Sequence, residues 1–397
     1  MAATIELNDS SEMILTDTIK VGVLHSLSGP MAISEVAARD ATFLAVDEIN
    51  ANGGVLGKQL EIVIEDGASS PEVFAEKARK LLENDEVAVV FGGWRSDSRN
   101  AMIPIFEELN GLLFYPASSE GFQQSPNIVY MGQDPSQQLI PAVNYLAEQG
   151  YENILLIGSE FAYSRIAHTI IKVQARELGQ TIVGELFVPL GNTEFGSLIE
   201  QLRASPPDLI INTMYGESNI GFFQQLAAAG FTSRDLPVMS TGVAEEEVRI
   251  IGPEFVAGHL TTWNYFQTLQ TPENFSFVTA YKGAYGQERV TSSPIVSAYE
   301  GVYLWRELVE KAQSTAVDLV RNAMTQPVDY IGPTGSIQID TETQYTYNMA
   351  RIGVVRDDGL IDEVIRSEAP LPPDPFLNSY PWAEEVRQMV ESLSENP

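Results

Sequence analysis

The sequence predicts an α/β protein built as two lobes, each a doubly wound parallel sheet covered by helices on both faces. Three observations predict it. Short Val/Ile/Leu-rich runs alternate with segments of helical apolar periodicity, the pattern of strands buried on both faces. The alternation completes one cycle and then starts again. The chain's 397 residues also exceed the roughly 250–300 at which a single core stops growing. Apolar residues make up 44% of the chain, ordinary globular usage, so both lobes can be packed.

In the first cycle "IKVGVLHSLSG" reads as a buried strand that breaks at Ser and Gly, and "AISEVAARDATFLAVDEINANGG" as the helix after it. The glycines of "NANGG" lie where a helix stop needs a left-handed residue. "LEIVIED", "PEVFAEKARKLLEND", "VAVVFGG", "SRNAMIPIFEELN" and "GLLFYP" continue the alternation. After "IVYMG" the second cycle runs from "QQLIPAVNYLAEQG" and "YENILLIGS" to "DLIINTMYG", "GFFQQLAAAG" and "LPVMST". "FGGWRSDSR" and "IGSEFAYSR" echo each other after an early strand of each cycle, a faint sign of two equivalent lobes. The last third contributes three helices ("PENFSFVTAYKGAYG", "SPIVSAYEGVYLWRELVEKA", "AVDLVRNAM") and a hairpin-like finish in "TGSIQID" and "ARIGVVRDDGLIDEVIRS". The proline-rich tail is expected to drape over the surface and to fray at its end.

Chemistry finds few of its parts. The chain has no cysteine, and His25, His168 and His259 lie far apart without metal-ligand spacing, so no metal is expected. Neither GxGxxG nor GxxxxGK[ST] occurs, which leaves no support for a nucleotide cofactor. GxSxG is absent too, and neighbours on a strand point to opposite faces, so His25 is badly placed to serve Ser26 as a base. Glu245, Glu246 and Glu247 read as surface charges compensating a helix N-terminus, worth about 0.3–1 kcal/mol each, with one of them able to point into a cleft. An enzyme is not expected. The formal charge of −31 repels nucleic acid and anionic lipid and suits a soluble surface in a saline setting. No apolar run approaches the ~18 residues of a membrane span. "MAATIELNDSSEMILTDT" lacks the basic start and apolar stretch of a signal peptide, so either the protein is cytoplasmic or an export signal has been trimmed.

What remains is a set of strand ends of one character. "HSLSGP", "GGWRSDS", "FYPASSEG", "GSEFAYS", "TMYGESN" and "STGVAEEE" each place glycine, small hydroxyls or aromatics at the carboxyl end of a predicted parallel strand. Ligands of open α/β sheets bind there, near helix N-termini. Gly and Ser also end strands everywhere. The aromatics Trp94, Tyr115, Phe161, Tyr163 and Tyr215 stand where routine turns carry Asn, Asp or Pro, and they favour a ligand site.

"IKVGVLHSLSGPMAISE", "EINANGGVLGKQLEIVIEDGAS", "FAEKARKLL", "GLLFYP", "EGFQQSPNIVYMGQDPSQQ", "VPLGNTEF" and "VAEEEVR" together resemble the urea- and short-chain amide-binding proteins of ABC importers. These form a branch of the branched-chain amino-acid-binding family with the type I periplasmic-binding fold, and the likeness runs from about residue 18 to about residue 380. It implies two lobes joined by a three-segment hinge and closing on a ligand. Residues 1–17 would be an N-terminal extension, 18–135 plus 267–340 the first lobe, 136–266 plus 341–380 the second, and 381–397 a C-terminal tail. It implies an extracytoplasmic protein with no cofactor, delivering urea or a short amide unchanged to the ABC permease subunits. The alternatives are a cytoplasmic amide-sensing regulator of the same fold, or a binder of guanidinium or a branched-chain amino acid. Carried over by position, the ligand contacts fall on Trp94, Ser96, Tyr115, Ala117, Phe161, Tyr163, Val243 and Glu245. Ser96 and backbone N–H groups would donate to the ligand's carbonyl, Glu245 would accept from its NH2, and the aromatics would cover its flat faces. Two departures stand out. Asp97 follows the site serine, where the family has a small or neutral residue, and is either a helix-start charge or a reason to favour a cationic ligand. The family's "YEG" is here Ser119-Glu120-Gly121.

Overall fold

The structure, a computed structural model, describes residues 18–328 and 330–395; the proposed extension 1–17 lies outside the described residues. Strands β1 (Ile19–His25), β2 (Leu60–Asp66), β3 (Val90–Gly92), β4 (Leu113–Tyr115) and β5 (Ile128–Tyr130) form one sheet in the order β2-β1-β3-β4-β5, every neighbouring pair parallel. Strands β6 (Asn153–Ser159), β7 (Thr181–Val188), β8 (Leu209–Thr213), β9 (Val238–Ser240) and β10 (Leu260–Trp263) form the parallel part of the second. A short hairpin, β11 (Ile331–Gly332) and β12 (Gly335–Ser336), precedes β13 (Arg351–Val355) and β14 (Ile361–Arg366), which extend the second sheet antiparallel beyond β10. Its order is β14-β13-β10-β9-β8-β6-β7. The two α/β lobes expected from the alternating pattern are therefore present, with the final hairpin added to the second sheet. Only Gly335 and Ser336 of "TGSIQID" pair as strand.

Local chemistry explains the elements. Ser70 caps the helix Pro71–Glu83 by accepting from the Val73 N–H at 3.4 Å, and Thr271 caps Pro272–Tyr285 by accepting from the Asn274 N–H at 3.2 Å; each helix has proline in its first turn. The helix Ser293–Ala312 packs on the helix Ala32–Ala51 and against β3 and β4, so the last third of the chain returns to the first lobe. The chain thus passes between the lobes after β5, after β10 and before β13. These passages are laced together: Asn264 Nδ2 donates to Asn348 Oδ1 at 2.6 Å, and Gln133 Nε2 donates to the Met349 carbonyl at 3.0 Å.

The tail departs from expectation. It ends in the helix Ala383–Glu395, which docks on the helix Ala162–Glu177 with Val386 fully buried and Arg176 donating to Glu385 at 2.7 Å. The proline-rich stretch ahead of it is also engaged, since the Pro375 carbonyl accepts from the Phe122 N–H at 2.9 Å. An amphipathic helix after the prolines supplied the apolar face that a draped tail would lack.

Candidate functional site

Both sheets reverse their direction of winding at an inner strand, between β1 and β3 in the first lobe and between β6 and β8 in the second. Connections on either side of such a point leave by opposite faces and open a crevice at the carboxyl ends of the strands. The two crevices face each other. In "FGGW" the backbone at Gly92 runs so close to β1 that a Cβ would lie 1.8 Å from the Leu24 carbonyl oxygen, and Gly93 takes φ 79°; only glycines bring Trp94 out at this point.

The cleft between the lobes is lined by Trp94, Arg95, Ser96, Ala117 and Ser118 from one side and Phe161, Tyr163, Tyr215 and Trp263 from the other, with Pro294 at the start of the helix Ser293–Ala312. The cavity between them is only about 10 Å3. That is close to the least that holds one water, so the lobes are closed around a very small hollow. Two contacts tie them shut: the Arg95 guanidinium lies 5.6 Å from the Phe161 ring centroid, and Ser34 donates to Glu247 at 2.6 Å.

Hydrogen bonding gives the hollow a definite polarity. Ser96 Oγ donates to Glu120 at 2.6 Å, Tyr163 to Gln138 Oε1 at 3.1 Å, and Tyr215 to the Thr241 carbonyl at 3.4 Å. The Gln138 amide is oriented by its own Nε2, which donates to the Thr262 carbonyl at 2.9 Å. Burial pushes the Tyr163 phenol up to about 12 and Tyr215 well above its ordinary value, so both keep their protons. Ser96, Tyr163 and Tyr215 each have a protein acceptor within reach of their protons, Tyr163 and Tyr215 also meet each other, and Ser118 adds a fourth hydroxyl to the lining. Conversely, Trp94 Nε1 and Arg95 Nε are buried donors without an acceptor. Leaving such groups unmet costs about 1–3 kcal/mol each, so the cleft asks for a ligand that both donates and accepts.

Of the ten residues singled out in the sequence, six line the hollow: Trp94, Ser96, Ala117, Phe161, Tyr163 and Tyr215. The other four stand one row behind. Tyr115 donates to the Trp94 carbonyl, and Asp97 pairs with Arg95 while accepting from the Ser98 N–H at 2.8 Å. The Val243 carbonyl accepts from Trp263 Nε1 at 2.9 Å. Glu245 accepts from the Gln267 N–H at 2.7 Å, its other oxygen has no partner, and burial raises its carboxyl to about 8. It does not line the hollow, so the role of accepting from a ligand NH2 does not fall to it. The triple "EEE" is also not a surface feature: Glu245, Glu246 and Glu247 are all buried because their helix start packs inward against the first lobe. Ser96 likewise differs from expectation, since its proton goes to Glu120 and leaves an acceptor where a donor was foreseen.

Sequence reasoning assigned no role to Arg95, Ser118, Trp263 or Pro294. Trp263 ends β10 on the same carboxyl edge as the other aromatics. The strand-end rule would have found it had "LTTWN" been read as a strand. Arg95 was hidden between two named neighbours. The three histidines are structural: His25 lies 3.3 Å from Glu35, His168 sits between Glu185 and Thr213, and His259 Nδ1 accepts from the Val238 N–H at 3.1 Å. Among the described residues no cluster is arranged to hold a metal, and no helix is long and apolar enough to cross a membrane.

Comparison with known proteins decides the family. A model described as a periplasmic binding protein domain matches residues 19–381. The chain belongs to the periplasmic binding protein family. Members of this family are solute-binding proteins, not enzymes. Among relatives of this periplasmic binding protein is the Leu/Ile/Val-binding protein homolog 6 of Brucella melitensis, 24% identical over 86% of this chain and 89% of the relative. Among solved structures, a solute-binding protein of an ABC transporter from Rhodopseudomonas palustris HaA2, in complex with p-hydroxybenzoic acid, superposes with a TM-score of 0.82 at 25% identity, over 92% of this chain and 100% of the other. A branched-chain amino acid transporter substrate-binding protein of Streptococcus pneumoniae, in complex with isoleucine, superposes with a TM-score of 0.76 at 22% identity, over 88% and 99% of the two chains.

Proposed function

We propose that this periplasmic binding protein captures urea or a short-chain amide in the closed cleft and delivers it, unaltered, to the permease subunits of an ABC importer on the outer side of the cytoplasmic membrane. The closing lobes are taken as 18–135 plus 267–340 and 136–266 plus 341–380. The observation that carries the ligand class is the mixed polarity of the hollow: Ser96, Tyr163 and Tyr215 have protein acceptors for their protons and can accept from a ligand, Ser118 can do either, and the buried Trp94 Nε1 and Arg95 Nε lack an acceptor. An amide has NH2 for the first set and a carbonyl for the second. Size favours a small ligand over a benzoate ring, although even urea needs more room than the single water for which the hollow is sized, so the lobes must part slightly around it. A zwitterionic amino acid would need a counter-charge for its ammonium, and no carboxylate among the described residues lines the cleft. Guanidinium would need the same, and Asp97 is turned to Arg95 instead.

A second reading, a small carboxylate, is favoured by one observation: Arg95 lines the cleft with an unpaired Nε. Against it stand the three acceptor hydroxyls and a formal charge of −31, whose field repels anions. Titration calorimetry with urea, acetamide, formamide, guanidinium, isoleucine and p-hydroxybenzoate tests the proposal. The best very small ligands gain about 1.5 kcal/mol per heavy atom, so urea with about four is expected to bind with a dissociation constant of some tens of micromolar. Binding of isoleucine or p-hydroxybenzoate with silence from every amide overturns the assignment.

A further inference from the structure

Beneath Ser96 lies a buried ion pair that the capture of a ligand does not itself require. Glu120 is 2% exposed and Arg99 fully buried; Arg99 Nη2 donates to Glu120 Oε1 at 2.8 Å while Glu120 Oε2 accepts from Ser96 Oγ at 2.6 Å. Arg99 Nε donates to Gln123, and its guanidinium lies 4.9 Å from the Tyr115 ring centroid and 5.8 Å from that of Tyr130. Burial works against the charge on Arg99, yet the adjacent Glu120 carries its pKa above the ordinary value, so the guanidinium is a permanent donor. The two oxygens of Glu120 therefore have fixed and different duties: one is held by Arg99, and the other takes the serine proton.

We propose that Glu120 is a positioning residue that sets ligand specificity through Ser96: by holding the hydroxyl proton it makes Ser96 an obligate acceptor, which selects ligands bearing N–H over isosteric carboxylates. This rests on the amide reading of the cleft. Of the four hydroxyls there, Ser96 is the one whose proton goes to an acidic side chain, and hydrogen bonds to charged groups are about twice as strong as neutral ones. A carboxylate ligand presented to this oxygen would set two acceptors against each other with no proton between them. Acetamide and acetate have nearly the same shape; they differ in the N–H that the first carries and in the full negative charge of the second.

The substitution Glu120→Gln reverses the polarity in a way the geometry dictates. Arg99 offers only donors, so it draws the carbonyl oxygen of the new side-chain amide to itself and leaves the amide NH2 facing Ser96. The serine oxygen then accepts from the protein, and its own proton is free to point into the cleft. Calorimetry of wild-type protein, Glu120→Gln and Ser96→Ala against acetamide and acetate is the test, with circular dichroism as the check on folding. Wild-type protein is expected to prefer acetamide; Glu120→Gln is expected to shift the acetamide-to-acetate preference toward acetate by about tenfold or more, the scale of one charge-assisted hydrogen bond. Because Glu120→Gln also removes a negative charge that opposes acetate, the double variant Glu120→Gln/Ser96→Ala is the control: a shift of the same size without the serine oxygen, or an unmoved ratio in Glu120→Gln itself, overturns the inference while the amide reading stands. Ser96→Ala keeps the test open if the Glu120→Gln variant does not fold: losing the acceptor must shrink the preference, and an unchanged ratio overturns the inference. A wild-type protein that takes acetate, p-hydroxybenzoate or isoleucine in place of acetamide overturns both the inference and the reading beneath it.

Discussion

The two rims of the cleft begin alike and end differently. In the first lobe β3 runs through Gly92 and Gly93 to Arg95, which precedes the helix Ser96–Glu108; in the second, β6 runs through Ser159 to Phe161, which precedes the helix Ala162–Glu177. Both preceding residues are extended, and both helices carry Ser-Arg in their first turn, Ser98-Arg99 and Ser164-Arg165. Yet β3 is the third strand of its sheet and β6 the first of its own, so by strand order β6 matches β1 and β3 matches β8. The sequence echo therefore does not mark equivalent places in a duplicated fold. The two arginines show how far environment decides: Arg99 is sealed in a network with Glu120, whereas Arg165 is half-exposed, pairing with the exposed Glu160 and lying over the Phe187 ring. The first rim carries the charged groups Arg95, Arg99 and Glu120; the second is a cage of Phe161, Tyr163 and Tyr215, with ring centroids 5.2–6.4 Å apart, that supplies walls and two of the cleft's hydroxyls.

The sharpest way to break this comparison is to remove both arginines in turn. Arg99→Ala leaves the Glu120 carboxylate buried without its partner and is expected to destabilise the protein by about 3–5 kcal/mol. Arg165→Ala, in the matching sequence position, is expected to stay within about 1 kcal/mol because its pair is exposed. Calorimetric melting of the two variants decides it; equal losses would mean that the rims are built alike.

A second contrast concerns acids. Glu120 has an arginine, but Glu245 and Glu247 at the second lobe's helix start are met by N–H and O–H donors instead, and burial raises them to about 8 and about 7. Each keeps its proton in the folded state at pH values where the unfolded chain has released it, so their contribution is fully present below about pH 4.5 and is lost as pH rises through 7 to 8. Melting followed from pH 5 to 9 is expected to show stability falling on the order of a few kcal/mol, and Glu245→Gln to flatten part of that slope. A rise with pH across this window would mean that these carboxyls are ionised and paired.

Smaller effects sharpen the division of labour. Trp94→Ala, which opens a wall and removes a donor, is expected to weaken ligand binding by about 2 kcal/mol or more, the range of a central aromatic contact, read as a rise in calorimetric Kd. Arg95→Ala removes the ring contact with Phe161 across the cleft and is expected to weaken binding by about 0.5–2 kcal/mol. If it leaves the affinity unchanged, that contact plays no part in closure.

Much of this architecture was legible in the residue order. The alternation of apolar runs and helical segments yielded both sheets; the rule that ligands sit at the carboxyl ends of parallel strands picked out four aromatic lining residues, Trp94, Phe161, Tyr163 and Tyr215, and the family resemblance added Ser96 and Ala117. The rule worked because turn composition is local and an aromatic in such a turn is unusual. It missed Trp263, whose strand is too short and polar to read. The resemblance placed Glu245 at the ligand, and nothing local shows that the main-chain N–H of Gln267 arrives to engage it.

Fold class and the aromatic strand-end turns that line the candidate cleft were legible in the sequence alone, since each depends on patterns within a few residues. Which way each hydroxyl points was decided only by the tertiary structure. Ser96 is an acceptor because Glu120, twenty-four positions away, is brought beneath it and is itself fixed by Arg99. A hydrogen bond's direction depends on what else its partner must satisfy, and that is known only once the chain has folded.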